Sequence, residues 1–94
     1  MIVKYSRSFV AKLKKADVRI RKSFKQRISI FLINPYDLQL NNHALRDEWE
    51  GYRSIDITAD WRAIYEEVKV GEEEPFAYFT SLGTHKELYD RLDK

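Results

Sequence analysis

Residues 51–68 read GYRSIDITADWRAIYEEV, and the alternation in this stretch decides the class of fold. From Gly51 the period is two: Arg53, Ile55 and Ile57 fall on one side of an extended chain, and Tyr52, Ser54 and Asp56 on the other. Thr58-Ala59-Asp60 makes a tight connection, after which Trp61, Ala63 and Tyr65 alternate with Arg62, Ile64 and Glu66 in a second strand. Two such runs predict a β-hairpin whose isoleucines face a layer of helices.

The flanking sequence supplies that layer. Downstream, the charged turn Gly71-Glu72-Glu73-Glu74-Pro75 leads into a third strand over residues 76–82. Thr84 is then placed to cap a final helix carrying Leu88 and Leu92, with Tyr89 beside them. Upstream, residues 2–5 read as an edge or central strand. Ser6 or Ser8 caps a short basic helix with Phe9, Leu13 and Ala16 on its apolar side. Asp17 caps a second helix in which Ile20, Phe24, Ile28, Phe31 and Leu32 form an apolar face, and Asn34-Pro35 ends it because the residue before proline is driven out of the α region. Residues 36–50 show no sustained period and read as a loop, with Leu45 and Trp49 as core anchors that hold Asn41, Asn42 and His43 near the body of the protein. The predicted order is β-α-α-β-β-β-α. That is an α+β fold in one domain over residues 1–94: an antiparallel sheet, an N-terminal helical hairpin, a short C-terminal helix, and one sheet face left for function.

Composition narrows the chemistry. With 44% hydrophobic and 34% charged residues, the 94-residue chain has the profile of a soluble globular protein, and no segment approaches the length of a membrane span. We expect it in the cytoplasm, away from membranes. The absence of cysteine excludes a disulfide framework and a thiol nucleophile, and two histidines leave little for a metal site, so no cofactor or metal is expected. The net charge of +2 hides an asymmetry: residues 1–33 hold ten Lys or Arg against one acid, or +9, and the remainder holds seven against fourteen, or −7. Such a basic field attracts polyanions, although a solvated helix surface has the same composition.

The face opposite the isoleucines gathers acids, bases and a cation: Asp56, Asp60 and Arg62 from the hairpin, His43 before it, and His85 with Tyr89 after the last strand. Cleaving RNA without a metal needs a group to accept the ribose 2′-OH proton, a cation to stabilise the phosphorane, and an acid to protonate the departing 5′ oxygen. Histidine suits either proton transfer, and aromatic residues such as Trp61 and Tyr89 can stack on unpaired bases. Each residue also has a plain structural explanation. His43 fits a hydrogen-bonded turn, His85 an exposed helix start, Asp60 a hairpin turn, Arg62 a cross-strand partner for Asp56, and Trp61 and Tyr89 a core.

The series N-H-x-L at residues 42–45, W-x-G-Y-R at 49–53, D-W-x-x-I-Y at 60–65 and G-T-H-x-x-L-Y at 83–89 resembles the RelE/ParE toxin superfamily, and within it the YafQ-like toxins of type II toxin–antitoxin systems. The resemblance covers essentially the whole chain. It implies a ribosome-dependent mRNA endonuclease, an mRNA interferase, silenced by a cognate antitoxin in a hetero-oligomeric complex. By similarity His43, Asp60 and His85 take catalytic positions, Tyr89 is the aromatic residue near the site, and Trp61 supports it. His85 is the expected acid, Asp60 or His43 the base, and Arg62 the stabilising cation. The basic helices then become an RNA-binding surface, carried by Lys12, Lys14, Lys15, Arg19, Lys22 and Lys25 together with Trp61. The chain departs from the family pattern twice: a strand histidine is replaced by Asp56, and the basic residue before Gly-Thr-His by Ser81-Leu82. Two other readings share the same resemblance, a toxin-like binding module that has lost its chemistry and a ParE-like inhibitor of DNA gyrase.

Overall fold

The backbone pairs Ile55 with Ala63 and Asp56 with Arg62 across an antiparallel hairpin, and the rest of the sheet is assembled around that register. The computed structural model describes residues 1–89 and shows eight principal elements: β1 (Ile2–Tyr5), α1 (Arg7–Lys15), α2 (Val18–Ile33), β2 (His43–Ala44), β3 (Tyr52–Asp56), β4 (Trp61–Val68), β5 (Phe76–Thr84) and α3 (His85–Tyr89). Two single-turn 3-10 helices, Leu38–Leu40 and Asp47–Trp49, lie on either side of β2. The sheet order is β1-β5-β4-β3-β2. It is antiparallel except at one edge, where β1 runs parallel to β5. The antiparallel sheet expected from sequence is therefore mixed: the two helices between β1 and the hairpin carry the chain over one face before it returns.

Local sequence explains the helix ends. Ser6 is the N-cap of α1, accepting from Phe9 N at 3.1 Å, and Asp17 caps α2 by accepting from Arg19 N at 2.7 Å. Arg21 Nη1 donates to the carbonyl of Ala16 at 2.7 Å and so closes the corner between the helices. Their apolar sides cover the sheet. Phe9, Phe24 and Phe31 meet Ile55, Ile57, Ala63, Tyr65, Ala77, Phe79 and Leu82 in one core, with rings such as Phe9 and Phe79 at 5.7 Å and Phe31 and Tyr65 at 5.1 Å. Because side chains alternate along a strand, this assigns Ser54, Asp56, Arg62 and Ile64 to the opposite face.

The packing differs from the sequence reading at four places. Leu32 is 48% exposed, since it lies 100° around the helix from the buried Phe31 and turns away from the sheet. Leu40, in the segment read as a loop, is fully buried and belongs to the core. Leu45 and Trp49 do not anchor the core: the second 3-10 turn holds Trp49 off it, against Tyr52 with ring centroids 5.6 Å apart. The third hairpin strand continues to Thr84, where Gly83 pairs with Arg62 and Thr84 with Trp61. Leu92 lies outside the described residues.

Candidate functional site

β2 is only two residues long, yet its pairing of His43 with Ser54 puts the histidine on the face away from α1 and α2. The preceding Asn41 adopts a left-handed conformation (φ 48°, ψ 46°), which asparagine tolerates better than most residues. The turn brings the Asn41 carbonyl to 2.8 Å from His43 Nδ1. A carbonyl only accepts, so Nδ1 carries the proton and, in the neutral ring, Nε2 is left with its lone pair. Asn42 points to the other face. Its Nδ2 donates to Pro35 O and Tyr65 Oη, both at 2.8 Å, and its Oδ1 accepts from Arg53 Nε at 2.8 Å. This network holds the strand in place from below.

Arg62 projects from β4 toward the same side as His43. Its Nε lies 3.0 Å from Asp56 Oδ1, and its Nη1 donates to the carbonyls of Thr58 at 2.9 Å and Trp61 at 3.1 Å. The guanidinium is thus fixed along one side. Its Nη2 has no partner among the described residues, and the side chain lines the cleft.

His85 opens α3, whose start is a capping box. Glu87 N donates to Thr84 Oγ1 at 3.1 Å and Thr84 N donates to Glu87 Oε1 at 2.9 Å. The Thr84 amide, and after it the Lys12 ammonium at 3.0 Å, hold the Glu87 carboxyl below the ordinary glutamate range. Gly83, directly opposite Arg62, has no side chain to intrude: a Cβ there would meet Glu87 Oε1 at 3.3 Å and Leu88 Cδ2 at 3.5 Å. The His85 amide donates to Asp60 O at 2.9 Å, tying α3 to the hairpin turn. The ring packs tilted against Tyr89, with centroids 4.6 Å apart.

These elements enclose an open cleft of about 650 Å³. His43, Arg62, His85 and Tyr89 line it together with Asn41 and the 3-10 segment carrying Arg46 and Trp49. Four of the five residues singled out as catalytic therefore meet there. Asp60 is exposed and is not part of the lining; its main chain, rather than its carboxylate, is what touches His85. Trp61 packs partly buried against the core, on the helix side, beneath the Lys12 ammonium at 5.9 Å. Lys14, Lys15, Arg19, Lys22 and Lys25 are exposed on α1 and α2, across the sheet from the cleft, and Lys12 is paired with Glu87. Ser81 pairs with Ile64, two residues along β4 from Arg62. Asn41 and Trp49 escaped the sequence reading as parts of the site. The Asn-Asn dipeptide is a signal for a left-handed turn, whereas nothing local reveals that Trp49 leaves the core. Among the described residues no group of three His, Asp or Glu side chains is placed to hold a metal ion, and no helix is long and apolar enough to cross a membrane.

A five-stranded mixed sheet backed by a helical hairpin matches the fold of the YafQ and RelE toxins. A YoeB/ParE toxin from Agrobacterium tumefaciens superposes with a TM-score of 0.71 at 20% identity, over 90% of this chain and 99% of that one. YafQ from E. coli strain BL21(DE3) gives 0.71 at 25% identity, over 93% and 96%. YafQ in the E. coli DinJ-YafQ complex gives 0.54 at 25% identity, again over 93% and 96%. No curated protein matches the chain. The family model for the YafQ bacterial toxin of type II toxin–antitoxin systems matches residues 1–90, and the chain belongs to that family.

Proposed function

We propose that this toxin is an endoribonuclease that cleaves mRNA on the ribosome by general acid–base chemistry. The observation that carries the reading is the 2.8 Å contact between His43 Nδ1 and the Asn41 carbonyl: with Nδ1–H committed there, Nε2 of the neutral ring is an acceptor available at a cleft that also holds a cation and a second imidazole. His43 Nε2 takes the proton from the ribose 2′-OH as its oxygen attacks the adjacent phosphorus. Arg62 Nη2 donates to the phosphorane oxygens as charge gathers there. His85, protonated, gives its proton to the departing 5′ oxygen, leaving a 2′,3′-cyclic phosphate and a free 5′-hydroxyl. Each proton transfer is worth roughly 10²–10⁴-fold in rate, and the electrostatic contribution adds to both. Asp60 acts through its carbonyl, which orients His85, so of the two candidate bases His43 is favoured.

The exposed lysines and arginines of α1 and α2 support a second contact, with ribosomal RNA, because they are free to meet phosphate on the face the cleft does not use. A cognate antitoxin is the expected partner in a toxin–antitoxin complex, by analogy with the E. coli DinJ-YafQ complex. The site of action is the cytoplasm, where ribosomes are.

Induced expression should arrest translation, purified protein should cut mRNA on programmed ribosomes, and His85→Ala should relieve both effects. Equal toxicity from the variant would remove His85 from the mechanism. Antitoxin binding without cleavage would replace the enzyme by a binding module, and altered plasmid supercoiling would point to gyrase instead.

A further inference from the structure

Asp56 closes β3, the strand before the hairpin turn, and its surroundings give the carboxylate a role of its own. Oδ1 lies 3.0 Å from Arg62 Nε across the β3–β4 register, and Oδ2 accepts from Asn41 Nδ2 at 3.3 Å. Asn41 is the residue whose carbonyl fixes His43 Nδ1. The four residues therefore form one chain, Arg62–Asp56–Asn41–His43, that links the cation of the cleft to its base. Asp56 is not among the residues that line the cleft.

We propose that Asp56 is the positioning residue of the site, a single carboxylate that aims Arg62 with one oxygen and steadies the Asn41 turn, and with it His43, through the other. This rests on the ribonuclease reading of the cleft. Three features support it. With Nε drawn to Asp56 and Nη1 committed to two carbonyls, the guanidinium has one terminal nitrogen left and one direction in which to point it. The ion pair is shielded, with 17% and 26% of the two side chains exposed, so solvent does little to weaken it. Asp56 Oδ1 is buried without a well-aligned N–H donor, so its charge is answered by Arg62 through proximity alone. Moving Arg62 away would leave this buried oxygen without a counter-charge, which holds the cation in place.

The test is a double-mutant cycle on single-turnover mRNA cleavage by programmed ribosomes. Asp56→Asn should lower the cleavage rate about 10- to 100-fold, the usual cost of misplacing a reacting group, while the ribosome concentration for half-maximal rate stays unchanged. The same substitution in an Arg62→Ala background should cost at most a few-fold, because the group it aims is gone. Full additivity of the two substitutions, or a rise in half-maximal concentration with an unchanged rate, overturns the proposal. Ring nitrogen NMR of His43 supplies a readout that needs no cleavage. The parent protein should show the Nδ1–H tautomer and Asp56→Asn should weaken it; an unaltered tautomer overturns the link through Asn41. His85→Ala is measured in parallel. If the parent protein does not cleave, the ribonuclease reading falls and this proposal falls with it; if parent and His85→Ala behave as that reading requires while Asp56→Asn equals the parent, this proposal alone falls.

Discussion

His85 packs on Tyr89 with ring centroids 4.6 Å apart and planes inclined at 59°, one turn along α3. The contact joins a side chain that carries a proton to one that carries only shape, since Tyr89 Oη is buried and has no hydrogen-bond partner among the described residues. The ring, not the hydroxyl, is what restricts the imidazole.

Tyr89→Phe should therefore cleave mRNA within about threefold of the parent and be no less stable, because removing an unpaired buried hydroxyl removes a desolvation cost. Tyr89→Ala frees the imidazole and should lose about 10–100-fold in rate. Single-turnover rates on programmed ribosomes check both, and a large loss in Tyr89→Phe would show that the hydroxyl touches the RNA.

The Asn42 network predicts a stability effect without a catalytic contact. Asn42→Ala leaves Arg53 Nε, the Pro35 carbonyl and the Tyr65 hydroxyl without their partner, and Tyr65 is almost fully buried. We expect a loss of about 3 kcal/mol, the sum of a few unsatisfied groups at about 1 kcal/mol each. Urea unfolding should show a lower midpoint with an unchanged slope.

Glu87 gives stability a pH dependence. The Thr84 amide and Lys12 depress its folded pKa below the unfolded value. Its contribution is thus fully present above the unfolded pKa, about 4.3, and is lost as pH falls through the lower folded value. Glu87→Gln keeps the acceptor of the capping box but not the charge. Its melting temperature should lie below the parent's at pH 7, and the gap should close in acid. A gap that persists at low pH would mean that the charge is not what matters.

Sequence and structure part most clearly in the segment before the hairpin. The helix caps at Ser6, Asp17 and Thr84 were legible because each uses a side chain to satisfy a backbone group within three residues. β2 was not legible, because two residues carry no period and form a strand only when β3 lies beside them. Leu40 and Trp49 show the same limit from opposite sides. One enters the core and the other leaves it, according to how two short 3-10 turns carry the chain past the sheet edge.

The sequence by itself determined the hairpin, the helical pair, the choice of which hairpin face meets the helices, and the motif series that marks the YafQ family. These depend on periodicity and on short-range hydrogen bonds, which a linear chain records. Tertiary structure alone decided that β1 runs parallel to β5, that His43, Arg62, His85 and Tyr89 share one cleft while the Asp60 carboxylate does not line it, and that Asp56 connects Arg62 to the turn holding His43. Those outcomes depend on register between strands far apart in sequence. A shift of one residue would send Asp56 and Arg62 into the helical layer and dismantle the site.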